Sequence, residues 1–247
     1  MAVDPADPQS AAPTLATPRV LVFFDYACQF CYLDWPRFKR LRRQHGAELL
    51  LVPFELRPEL PAAGALIADL AVGHSERVEE HMLRMAREGG LELTFPAFLP
   101  NTHLALTLGE YARDLGPETH EAVHHAILAA YSGVARDIGR SDVLLDVAEE
   151  CGLDTADVAG AFDDGRYDER LGRFRDLALS LGIAATPAAL ICNELLIGSR
   201  PYQVLAHALE HCVIDERTIL TQGATSAHGS DEHVDTAEEG AAPSITR

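Results

Sequence analysis

Two cysteines close together, in Cys28-Gln29-Phe30-Cys31, are the residues of this chain best suited to chemistry. They follow Arg19 to Phe24, a short apolar run that reads as a buried strand. They open Phe30 to Gln44, where apolar residues recur at helical spacing. A cysteine at such a junction faces unpaired backbone N–H groups and the positive end of a helix dipole. Both favour the thiolate, the form that attacks disulfides. Cys31 lies about one turn further on and is placed to close a disulfide with Cys28. Two other readings compete. Half of a zinc site would need a second Cys-x-x-Cys or a His pair at ligand spacing, and the sequence offers neither. Two inert buried cysteines are the plainer alternative, and the junction favours the redox-active dithiol over both.

Two further positions join this pair. Thr186-Pro187 stands just before a returning strand, where a proline is tolerated for its missing donor. A cis bond there would turn the Thr186 backbone toward the helix bearing Cys28, making Thr186 and Pro187 candidates for substrate binding. Asp25, just before Cys28, could move a proton to or from Cys31 if it is buried, or could instead cap the helix.

The remaining candidates read as structural. Cys151 and Cys212 fall on apolar helix faces and Cys192 on the strand after Pro187, so all three are expected to be buried small hydrophobes. A Cys192–Cys212 bridge stays open. His120 and His124 share a helix face but lack a third ligand nearby, so no metal is expected. Tyr32 and Trp35 are read as core or cleft-wall aromatics. Pro36, inside the first helix, costs about 3 kcal/mol there and predicts a kink.

The elements that must hold these residues fall into a clear order. Residues 1–17, rich in Ala, Pro and Asp, read as a leader. Residues 18–60 form a βαβ unit, with Leu49 to Phe54 as its second strand. Strand signals then stop over 61–165, where successive helical repeats end at Gly89-Gly90, Gly116-Pro117 and Gly152. Residues 166–222 return to an α-β-β-α order: a helix over Tyr167 to Leu181, strands at Ala188 to Cys192 and Leu195 to Ile197 joined by Asn193-Glu194, and a closing helix over Pro201 to Cys212. Residues 223–247, almost without large apolar side chains, are expected to be a disordered acidic tail. The fold class is α/β, interrupted by an all-helical insertion.

Composition narrows the function classes. The 247 residues carry 38 acids against 20 bases, a formal net charge of −18, which argues against nucleic acid as a partner. No secretory signal and no stretch of roughly 18 apolar residues occurs, so neither a membrane span nor export is expected. Five cysteines, one close pair and three singles, fit a cytoplasmic chain with one purposeful dithiol.

From residue 19 to about 213 the chain resembles the DsbA-like branch of the thioredoxin superfamily, in particular its FrnE-like cytoplasmic group. The resemblance is carried by Phe24-Asp-Tyr-Ala-Cys-Gln-Phe-Cys-Tyr32, Pro53-Phe-Glu-Leu-Arg-Pro-Glu-Leu-Pro61 and Asn101-Thr-His-Leu-Ala105. Asp137-Ile-Gly139, Gly182-Ile-Ala-Ala-Thr-Pro187 and Gly198-Ser-Arg-Pro-Tyr202 follow in the same order. It implies a thioredoxin-like fold with a central mixed sheet, Cys28 as nucleophile, Cys31 as resolving thiol and Pro187 as a cis-proline. The implied activity is protein dithiol–disulfide exchange, with protein or peptide thiols and disulfides as partners. No cofactor beyond the redox-active disulfide is implied, with glutathione open as reductant or co-substrate. Two positions depart from the pattern: Gln29 stands where proline is common, and Thr186 where valine is. The same branch includes kappa-class glutathione transferases and hydroxychromene-carboxylate isomerases. A glutathione-dependent enzyme of that type is therefore the alternative, with a non-catalytic thioredoxin-like binding module as a third.

Overall fold

A computed structural model describes residues 17–70 and 73–212. The expected tail, most of the leader and the end of the last segment lie outside these residues. The first strand, β1 (Arg19–Phe24), leads through a short turn into α1 (Gln29–His45), and β2 (Glu48–Pro53) returns parallel to β1. Far along the chain, β5 (Ala188–Ile191) pairs antiparallel with β1, and β6 (Glu194–Ile197) pairs antiparallel with β5. The sheet order is β2-β1-β5-β6, a mixed sheet with β1 in its interior. A final helix, α8, spans 202–212.

The continuous apolar character of β1 has a simple cause. Val20, Val22 and Phe24 point into a large core shared with α1 and the helical insertion. Phe23 points the other way, into a second core with Val52, Phe54, Ala178, Ile183 and Ala188. A strand covered on both faces needs no polar alternation. Burial of a side chain such as Phe23 stabilises by roughly 1.5–3 kcal/mol.

Between β2 and β5 lie α2 (Glu76–Gly89), α3 (His103–Asp114), α4 (Pro117–Leu128), α5 (Ser141–Glu150), α6 (Thr155–Asp164) and α7 (Asp168–Ser180). A π-helical turn, Ala129–Gly133, extends α4. The block is not wholly helical. A two-stranded ribbon, β3 (Ala65–Leu66) with β4 (Phe98–Leu99), interrupts it, and two-residue strands leave no periodicity to read. Gly109 lets α3 approach the turn after β1, since a Cβ there would lie 2.5 Å from the Tyr26 hydroxyl oxygen.

Two details of the C-terminal half correct the sequence reading. The β5–β6 turn is Cys192-Asn193, not Asn193-Glu194: Ile191 pairs with Glu194, and Cys192 adopts a left-handed φ of 55°. Cys192 is therefore exposed at a turn rather than buried on a strand, and it is bonded to Cys212. Cys151, expected on a buried face, is a half-buried free thiol at the C-cap of α5. The first helix continues through Pro36. Among the described residues no helix is long and apolar enough to cross a membrane.

Candidate active site

The turn between β1 and α1 is built around Asp25. Its Oδ1 accepts the Ala27 N–H at 2.9 Å and its Oδ2 accepts the Leu56 N–H at 2.7 Å. The carboxylate thus ties the turn to the segment after β2 and does not cap α1. Burial raises its pKa from 3.8 to about 6, while the two N–H donors and the Thr102 side chain pull it back. The Asp25 carbonyl accepts the Cys28 N–H at 3.1 Å, which sets Cys28 as the N-cap of α1.

Cys28 is half-buried and Cys31 buried, and both are free thiols. The Cys28 Sγ donates to the Thr186 carbonyl at 3.3 Å, across 158 positions of sequence. The Thr186–Pro187 bond is cis. The hydrogen bond from Cys31 holds the Cys28 thiol below its ordinary value, against the upward push of burial, and the Cys31 N–H helps. Burial pushes the Cys31 thiol well up, and the neighbouring Cys28 adds to the effect. The two thiols thus differ: a lowered thiol is the more reactive form in disulfide chemistry, and a raised one keeps its proton more firmly.

A cavity of about 650 Å³ opens beside Cys28. Its floor is Asp25, Cys28 and Thr186, and its far wall comes from the insertion, including Phe95, Leu99 and Tyr131. Two contacts brace that wall. The Gln29 Nε2 donates to the Thr94 carbonyl at 2.6 Å, and the Tyr131 hydroxyl donates to the Phe98 carbonyl at 2.9 Å. The Thr186 Oγ1 is buried and has no hydrogen-bond partner among the described residues.

The structure therefore brings Asp25, Cys28, Cys31, Thr186 and Pro187 to one place. Sequence reasoning missed Gln29, Thr94, Thr102 and Tyr131 as its supports. Gln29 left a trace, as a departure next to Cys28, and Thr102 fell within the Asn101–Ala105 motif without an assigned role; Thr94, the partner of Gln29, lies in an irregular segment with no pattern to read. The histidines go elsewhere. His124 is enclosed by Phe24, Tyr26 and Trp35, and burial holds its pKa well below the ordinary value. Burial lowers His120 to about 4. Among the described residues no group of three His, Cys, Asp or Glu side chains is placed to hold a metal ion.

Residues 19–210 match the family model for the DSBA-like thioredoxin domain, and the chain belongs to that family. An uncharacterized Bacillus subtilis protein, YwbO, is 26% identical over 196 residues, covering 78% of this chain and 96% of its own. Among solved structures, a probable DsbA oxidoreductase of Streptomyces coelicolor, SCO1869, is similar with a TM-score of 0.71 at 20% identity, covering 90% of this chain and 95% of that one. A 2-hydroxychromene-2-carboxylate isomerase is similar with a TM-score of 0.60 at 19% identity, covering 85% of this chain and all of its own.

Proposed function

We propose that this member of the DSBA-like thioredoxin family is a thiol–disulfide oxidoreductase that exchanges disulfides with protein or peptide substrates through Cys28 and Cys31. The carrying observation is the asymmetry of the two thiols: Cys28, half-buried and lining the cavity, is lowered, and Cys31, buried, is raised. A glutathione-dependent isomerase would have no use for the second thiol.

In the reductive direction the Cys28 thiolate attacks one sulfur of a substrate disulfide. A Cys28–substrate bond forms, the old bond breaks, and the departing thiolate takes a proton from solvent. Cys31 then loses its proton and attacks the Cys28 sulfur, releasing the second substrate thiol and closing the Cys28–Cys31 disulfide. Asp25, buried with a pKa near 6, is the group we assign to accept the Cys31 proton. The Thr186 carbonyl borders the Cys28 sulfur, and the Thr186–Pro187 segment is the assigned docking strip for an extended substrate chain.

The test is trapping. Cys31→Ser should retain attack and lose resolution, so mixed disulfides with proteins accumulate, while Cys28→Ser forms none. If Cys31→Ser traps nothing and the wild-type protein reduces no protein disulfide, the dithiol mechanism is wrong.

A further inference from the structure

The cavity beside Cys28 has an uneven charge. Its ionisable lining, apart from Cys28 and Tyr131, is Asp25, Arg57, Glu59, His74 and Glu79. The one guanidinium among them, Arg57, stands 3.7 Å from Glu59, so that cation is already answered within the lining. His74 packs edge-on against Phe30, with ring centroids 5.9 Å apart. Among the described residues, Asp25 and Glu79 have no cationic partner. Asp25 lies on the floor; Glu79, half-buried in the first turn of α2, projects from the wall. Most of the remaining lining is apolar: Phe30, Leu56, Ile67, Phe95, Leu99 and Pro100. The formal net charge of the whole chain, −18, adds a field of the same sign.

We infer that this site selects disulfides flanked by apolar and cationic groups, and discriminates against anionic ones such as glutathione disulfide. The inference rests on the exchange reaction proposed above and names the substrate class of that site. A substrate ammonium or guanidinium entering the cavity answers Asp25 and Glu79, and apolar neighbours of the cystine cover the wall. A carboxylate entering the same space meets Glu79, which has no cation beside it among the described residues, and the buried Asp25, whose charge is held by N–H donors and not by a cation, in partly desolvated surroundings where like charges repel more strongly than in water. The chemistry is unchanged: the dithiol loses two electrons and two protons overall, and the disulfide becomes two thiols.

Three model disulfides separate the effects: cystamine (dicationic), 2-hydroxyethyl disulfide (neutral) and glutathione disulfide (anionic). Each initial rate with the reduced full-length protein is measured at low ionic strength. The rate left in Cys28→Ser is subtracted, and the result is divided by the rate of 2-mercaptoethanol with the same disulfide, which removes leaving-group differences. The expected order is cystamine, then the neutral compound, then glutathione disulfide, with about tenfold or more between the extremes. Raising salt to about 1 M should compress that ratio, because screening then acts over about 3 Å. Glu79→Gln should compress it at low salt, and Arg57→Gln should widen it. A flat or reversed order, or a ratio that neither salt nor the two variants move, overturns the charge selection and leaves the dithiol reading standing. Rates no greater than those of Cys28→Ser with all three compounds overturn the dithiol reading itself.

Discussion

The molecule holds two cysteine pairs in opposite surroundings, one free and one bonded. Cys28 and Cys31 sit within one turn of a helix, at the end of β1 that faces the cavity, and remain thiols. Cys192 and Cys212 are 20 positions apart and are bonded. Because β5 runs antiparallel to β1, with Phe23 opposite Ala188 and Val20 opposite Ile191, Cys192 lies at the far end of the sheet from Cys28. The first pair has a helix N-terminus, a buried partner thiol and a cavity. The second has a tight turn on one side and the end of α8 on the other. Proximity in sequence makes a disulfide easy to open and close; separation makes it a clamp that restricts the unfolded chain.

Removing each pair should break different properties. Cys28→Ser should abolish disulfide exchange. The double variant Cys192→Ser/Cys212→Ser should keep the exchange rate within about twofold, since the sites are distant and share no partners. It should instead lose about 3 kcal/mol of stability, the chain-entropy expectation for a loop of this size. Urea unfolding measures the stability difference, and the rate of reduction of a protein disulfide measures the exchange. Equal stability in the double variant would remove the clamp from this comparison.

The two pairs also differ in how far they could be read from sequence. Cys28 and Cys31 were legible because a strand run, two cysteines and a helical period follow one another without a break. Thr186-Pro187 was legible as a strand start, although its contact with Cys28 exists only after 158 positions of chain fold back. The clamp was not legible in the same way. Cys192 looked like the last residue of a strand, because nothing in a cysteine announces a left-handed turn conformation. Whether it met Cys212 depended on where α8 ends relative to β5, a tertiary distance that periodicity does not encode. The β3–β4 ribbon and the Gln29–Thr94 bond escaped for a related reason: both lie in short irregular segments whose partners are distant.

A charge effect sharpens the contrast further. Asp25 supports the first pair, and burial raises its pKa from 3.8 to about 6. A carboxyl whose pKa is raised by folding favours the native state most when protonated. Its contribution is fully present below about pH 3.8 and is lost as the pH climbs through about 6, reaching on the order of 3 kcal/mol of destabilisation at neutral pH. Asp25→Asn cannot titrate. The difference in unfolding free energy between wild type and variant should therefore change across pH 4–7 and flatten above it. The same variant should slow closure of the Cys28–Cys31 disulfide and leave opening of Cys192–Cys212 by dithiothreitol unaltered. A pH-independent difference would mean that Asp25 is not held in the protonated range by burial.

The smallest expected effect concerns Gln29, which occupies the position where the resembling proteins commonly carry proline. A proline side chain has no donor, whereas Gln29 donates to the Thr94 carbonyl at 2.6 Å. Thr94 is itself held by the Ser132 carbonyl, which accepts its N–H at 2.8 Å and its hydroxyl at 3.3 Å. The chain of contacts fixes the wall of the cavity to the residue beside Cys28. In Gln29→Ala the Thr94 carbonyl loses that donor, but the site is half-buried and water can replace it, so the cost should be about 1 kcal/mol. The informative readout is steric. With the wall less tightly held, alkylation of Cys28 by a bulky maleimide should accelerate relative to alkylation by iodoacetamide, while the reduction rate of Cys192–Cys212 stays constant. Gln29→Glu should widen the gap further, because a carboxylate facing the Thr94 carbonyl repels it. If both reagents respond equally in both variants, the bond between Gln29 and Thr94 has no part in admitting substrates to Cys28.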